Sequence, residues 1–166
     1  MTHGYSLPSN KGMLHRPRLC ALIQEGLQQP LLVLLAGPGY GKTQAMADYL
    51  AASDAKVLWL RLSTLDNLPS HFWDHFIRVL KSNDYSLSMS LRTLEFPDTL
   101  SKFEAFMQLL AKDTNGPPNR IWVFDDFGEI TDQRVKNFFW MMVAMDLPNF
   151  RIVLISNVMT NTESIA

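Results

Sequence analysis

Apolar residues along the chain fall into two kinds of segment. Short continuous runs, bounded by turn formers or polar residues, cover 30–36, 57–62, 121–126 and 151–157. Runs of that length and composition predict strands buried on both faces, as in a parallel sheet. Between them the apolar spacing becomes helical. Leu19, Leu22, Ile23 and Leu27 predict a short helix over 19–27, with Gly26 near its end, and good helix formers fill 43–52. Pro69 opens a helix whose apolar face is Phe72, Trp73, Phe76, Ile77 and Leu80. Leu100, Phe103, Phe106, Met107 and Leu110 mark another. Val135, Phe138, Phe139, Met142 and Met145 mark a last one over 132–146, stopped by Pro148. These aromatic and methionine stripes read as core. Residues 63–68 read as a polar connection, 82–98 as loop, and Asn115-Gly116-Pro117-Pro118 as a strong breaker.

The order strand, helix, strand, helices, strand, helix, strand predicts an α/β fold: a parallel sheet covered by helices on both faces. Residues 1–12 are polar and rich in turn formers, a flexible lead-in, and 13–166 form one domain. No internal repeat or low-complexity tract interrupts it.

Composition narrows the partners. With 47% hydrophobic residues the chain can bury a core, and its net charge of -1 supplies no footprint for nucleic acid. The cluster His15-Arg16-Pro17-Arg18 is too short to supply one, so no direct nucleic acid contact is expected. The single cysteine, Cys20, excludes an internal disulfide and fits a reducing compartment; its neighbours Leu19, Ala21, Leu22 and Ile23 predict a small buried apolar residue. No basic-then-apolar leader opens the chain, and apolar runs such as 31–36 are far short of a membrane span. The expectation is a soluble, cytoplasmic protein with no membrane partner.

Candidate chemistry begins where the first strand ends. Ala36-Gly37-Pro38-Gly39-Tyr40-Gly41-Lys42-Thr43 follows G-x-x-x-x-G-K-[ST] at every fixed position but the first, where Ala replaces Gly. Phosphate oxygens need many donors close together. Gly39 and Gly41 let the backbone fold tightly with its N–H groups inward, and the following helix adds unpaired N–H groups and its positive dipole end. Lys42 is placed to reach the β- and γ-phosphates and Thr43 to offer its hydroxyl to Mg²⁺. The loop from Gly37 to Thr43 is therefore the predicted cradle for ATP or ADP. Its plain alternative is a structural Gly-rich turn with an exposed lysine.

A metal anchor is expected on a neighbouring strand. Asp125 follows four apolar residues and suits that role beside Thr43, while Asp126 is the candidate base that would orient or activate attacking water. The alternative is that both carboxylates cap the next turn.

Taken in order, several segments resemble the ATP-binding domain of large LuxR-type transcription regulators, the MalT-like group of signal-transduction ATPases. They are Arg16-Pro17-Arg18-Leu19, the loop with Gly39-Tyr40-Gly41-Lys42-Thr43, and Trp59-Leu60-Arg61-Leu62. Further along stand Asp66-Asn67-Leu68-Pro69-Ser70-His71-Phe72-Trp73, Val123-Phe124-Asp125-Asp126-Phe127 and Ile152-Val153-Leu154-Ile155-Ser156. The resemblance implies a P-loop NTPase and a slow ATPase switch, in which nucleotide and an inducer favour a self-associating form that activates transcription. It places Arg18 near the nucleotide. It also implies a fifth core strand, a winged-helix lid, a helical-repeat sensor and a C-terminal helix-turn-helix, none of which is recognisable in the 166 residues. The expectation is thus an incomplete core, the N-terminal part of a P-loop domain. Asn157 stands where the family usually has an arginine that senses the γ-phosphate, and an amide brings no charge to a transition state. Two other readings share the scaffold: an independent P-loop enzyme such as a small-molecule kinase, which should show an Arg-rich lid not found here, and a degenerate remnant without nucleotide binding.

Overall fold

The computed structural model describes residues 16–114 and 119–157; the predicted lead-in and the 115–118 breaker lie outside them. Four strands form one parallel sheet: β1 (Leu31–Leu35), β2 (Lys56–Arg61), β3 (Arg120–Asp125) and β4 (Phe150–Ser156), in the order β1-β4-β3-β2. Among the described residues six α-helices accompany them, α1 (Pro17–Gly26) before β1 and the others between strands: α2 (Lys42–Ala51), α3 (Pro69–Asn83), α4 (Tyr85–Leu91), α5 (Leu100–Thr114) and α6 (Gln133–Ala144).

Strand alternation divides the core in two. Trp59, Ile121, Val123, Val153 and Ile155 face Ile23 of α1, Leu27 just after it, and Met46 and Leu50 of α2. Their neighbours Leu58, Leu60, Trp122, Phe124, Ile152 and Leu154 face the aromatic side chains of α3, α5 and α6. Each inner strand is apolar at nearly every position because both its faces are covered, which is why the pattern is continuous rather than alternating.

Three expectations change. Residues 82–98 are not all loop: Asp84 accepts a hydrogen bond from Leu87 N at 3.1 Å and caps α4, which buries Leu87 and Leu91 one turn apart. Strand β1 is not buried on both faces. It pairs only with β4 among the described residues, and Val33 and Leu35 are 49% and 42% exposed. A run of Leu and Val identifies a strand but not its place in the sheet. Cys20, expected to be buried, is partly exposed on α1.

One polar cluster fastens the end of β2 to α3. After β2 the chain makes a 3-10 turn, Thr64–Asn67. Within it the fully buried Asp66 carboxylate accepts from Ser63 N (2.8 Å) and Ser63 Oγ (3.0 Å) and pairs with Nδ1 of His71 (3.1 Å) and His75 (2.9 Å). Burial alone would raise the Asp66 pKa; the hydrogen bonds from His75 and Ser63 outweigh it and bring the group down to about 2. A carboxyl whose folded pKa lies below its unfolded value stabilises the fold above the ordinary carboxylate range. That contribution fades as pH falls from about 4 to about 2, and is worth on the order of 2 kcal/mol. Urea unfolding of the wild type should therefore lose that much more stability between pH 5 and pH 2 than Asp66→Asn does. Parallel pH profiles for the two proteins would contradict this role.

Candidate phosphate and metal site

The carboxyl ends of β1, β3 and β4 converge on the loop 36–43. Ala36 N hydrogen-bonds Ser156 O, so the loop starts beside the end of β4. Gly39 (φ 81°) and Gly41 (φ 75°) occupy the left-handed region. At Gly39 a methyl group would meet nothing within 4 Å, so glycine is required there by backbone conformation rather than by space. Gly41 is the N-cap of α2, and its conformation turns the chain from loop into helix directly before Lys42.

Lys42 Nζ donates to the carbonyl oxygens of Ala36 and Gly37, the latter at 2.9 Å, and to Asn157 Oδ1 at 2.7 Å. Its three N–H bonds thus have acceptors inside the loop and at the end of β4. Asn157 adjoins the lysine because β4 is the neighbour of β1. Thr43 Oγ1 lies 3.2 Å from each oxygen of Asp125, which reaches it across β4 from the end of β3. Asp125 is 5% exposed. Burial pushes its carboxyl pKa up, the Asp126 charge adds to that, and hydrogen bonds from Asp126 N and Thr43 only partly compensate.

Asp126 turns the other way. It holds φ 57°, a left-handed conformation that Asp tolerates, and its Oδ2 accepts from Arg61 Nε at 2.7 Å. Its carboxylate is therefore engaged by the end of β2. Arg18 does not reach the loop through any hydrogen bond among the described residues and is exposed on α1. The arginine over the loop is Arg16, whose Nη1 donates to Tyr40 O at 3.4 Å and would stand 3.7 Å from a methyl group on Gly41. Arg16 is the N-cap of α1 and Pro17 its first residue, so the loop contact comes from the residue at the helix entry. The sequence assigns no role to Arg61, and the one signal there is a charge interrupting the apolar run 57–62.

The donor set suits a magnesium-bound nucleotide. A hydroxyl and a buried carboxylate are hard oxygen ligands, and Asp125 is a carboxyl that a cation would help to ionise. Among the described residues no group of three or more His, Cys, Asp or Glu could hold a metal by itself. A cation here would complete its shell with phosphate oxygens and water, the usual habit of Mg²⁺.

A parallel sheet with a glycine loop passing from strand to helix, and an acid at the end of the strand one beyond the adjacent one, defines an α/β P-loop NTPase fold. The comparisons agree. No protein-family model matches the chain. The HTH-type transcriptional regulators MalT of Vibrio campbellii and of Vibrio parahaemolyticus are each 25% identical over 150 residues, covering 87% of this chain and 16% of the relative. The chain thus spans about one-sixth of the length of the curated relatives it matches. A solved Walker-type ATPase of Pyrococcus abyssi superposes with a TM-score of 0.59 at 19% identity, covering 87% of this chain and 45% of that one. The similarity to MalT is weak but runs along most of the chain, and with the shared fold it supports a P-loop ATPase-like domain related to MalT. Among the described residues no helix is long and apolar enough to cross a membrane.

Proposed function

We propose that this domain binds Mg-ATP or Mg-ADP through the loop from Gly37 to Thr43 and acts as a nucleotide switch within a MalT-like regulator. The observation that carries the reading is the meeting of Thr43 and Asp125 at 3.2 Å, 82 residues apart, beside a lysine at the start of α2. In the bound state the backbone N–H groups of the loop and of the first turn of α2 would surround the phosphates. Lys42 would exchange at least one of its present acceptors for a phosphate oxygen. Thr43 and Asp125 would hold Mg²⁺, which screens phosphate charge when bound.

Turnover by this domain should be slow. Asp126 is the candidate base, and one of its two carboxylate oxygens, Oδ2, is already held by Arg61, which leaves the other to orient water. Asn157 offers an amide and no charge near the terminal phosphate. The Arg16 guanidinium is the better candidate than Arg18 for a nucleotide contact from α1's entry. Self-association and transcriptional control would belong to the longer protein.

Calorimetric titration of ADP and ATP, with and without Mg²⁺, tests the reading in the wild type and in Asp125→Asn. Wild-type binding should tighten with Mg²⁺, and the variant should lose about tenfold or more of that gain, or ~1.4 kcal/mol. Thermal stability should move the opposite way. A carboxyl whose folded pKa is raised costs stability once pH passes its ordinary value. At neutral pH the uncharged amide that replaces the carboxylate should therefore leave the melting temperature unchanged or higher. Mg²⁺-independent binding in both proteins would remove Asp125 from the site.

A further inference from the structure

The turn that carries Asp125 and Asp126 is tied to the segment after β2 by one side chain. Asn67 Oδ1 accepts from Thr131 N at 2.6 Å, Asp132 N at 2.9 Å and Thr131 Oγ1 at 3.2 Å. Its Nδ2 donates to Glu129 O at 2.9 Å and to Thr64 O at 3.1 Å. The acceptor and both donor directions of the amide are in use, and all but one of these bonds cross to residues 129–132. Asn67 is itself held, because its neighbour Asp66 is the buried carboxylate clamped by Ser63, His71 and His75.

Between that crossing and the metal-side acid lies a short turn. Glu129 N bonds Asp126 O at 3.0 Å, and Asp126 N donates to Asp125 Oδ1 at 3.0 Å. A shift of the turn would carry the Asp126 N–H away from the Asp125 carboxylate. The Arg61–Asp126 pair, 71% and 27% exposed at its two side chains, is a weak restraint against such a shift. Phe127 and Ile130 are buried and hold the turn against the core, but their apolar contacts do not fix the direction of a backbone N–H.

We propose that Asn67 is a positioning residue for Asp125: by bonding residues 129–132 it fixes the turn whose Asp126 N–H orients the Asp125 carboxylate toward Thr43. This rests on the reading of Asp125 as the Mg²⁺ anchor. Asn67 touches neither Asp125 nor the phosphate loop, so its effect should be confined to the magnesium-dependent part of binding.

The test uses Asn67→Ala and Asn67→Asp in the full chain, with ADP titrated in the presence and absence of Mg²⁺ and amide hydrogen exchange followed by residue. Asn67→Ala should keep Mg²⁺-free affinity within about twofold, lose about fivefold or more of the Mg²⁺ gain, and speed exchange at Asp126 and Thr131 about tenfold. Asn67→Asp retains the acceptor for Thr131 and Asp132 but not the donor to Glu129, and should fall between. A purely structural role would lower melting temperature and weaken both affinities together, which would overturn the proposal. So would a wild-type Mg²⁺ gain preserved in Asn67→Ala, or unchanged exchange at Asp126. If the wild type itself shows no Mg²⁺ gain, the metal reading of Asp125 fails first and the positioning role falls with it. That outcome is distinguishable because it appears before any substitution at Asn67.

Discussion

Lys42→Ala should lose Mg-nucleotide binding by about 100-fold or more while remaining folded. Two charge-assisted contacts to phosphate oxygens are at stake, each worth roughly 1.5–3 kcal/mol, and ~1.4 kcal/mol is tenfold in affinity. The cost to the unliganded fold should be much smaller. Lys42 is only partly buried, and the oxygens it leaves on Ala36, Gly37 and Asn157 can be hydrated. Lys42→Arg should rescue little. The present ammonium fits three acceptors around one nitrogen, whereas a guanidinium is planar and longer, with donors in a fork. Calorimetry on the wild type and both variants, with circular dichroism to confirm folding, measures the effect. Equal affinity in a folded Lys42→Ala would end the phosphate reading of the loop and leave only the fold.

Legibility in the sequence followed contiguity. The loop could be read because its glycines, Lys42 and Thr43 sit within one short segment, and local backbone demands at Gly39 and Gly41 dictate their type. Asp125 could be nominated because it closes a run of four apolar residues, which places it at a strand end. What could not be read depended on strand order. Lys42 meets Asn157, 115 residues away, only because β4 lies beside β1. Arg61 meets Asp126, 65 residues on, because β2 pairs with β3. The same lack of neighbour information made β1 look central when it lies at an edge of the described sheet. Helix α4 was hidden differently: its serines compete with the backbone for hydrogen bonds, and the cap from Asp84 and the burial of Leu87 and Leu91 decide the outcome.

Phe138→Ala should be among the most destabilising single substitutions in the domain, costing about 3–5 kcal/mol. The ring is completely buried on α6. It packs at 5.4 Å from the Phe106 centroid, 5.7 Å from Phe72 and 5.8 Å from Phe96, with Trp73 at 6.1 Å. Those partners come from α3, the α4–α5 connection and α5, so one truncation opens a void where all these elements meet. Edge-to-face geometry, 60° at Phe106 and 82° at Trp73, adds interaction beyond area burial. At ~2–4 °C per kcal/mol for a chain of this size, the melting temperature should fall by roughly 6–20 °C. Met145→Ala is the control: its side chain is 51% exposed just beyond α6 and should change stability by about 0.5 kcal/mol or less. Phe138→Leu keeps most of the volume and should lie between them. A fall of only a degree or two in Phe138→Ala would mean that α3, α5 and α6 do not share one cooperative core. In that case the acid-bearing turn, which leads directly into α6, would be held mainly by its polar links to the segment after β2.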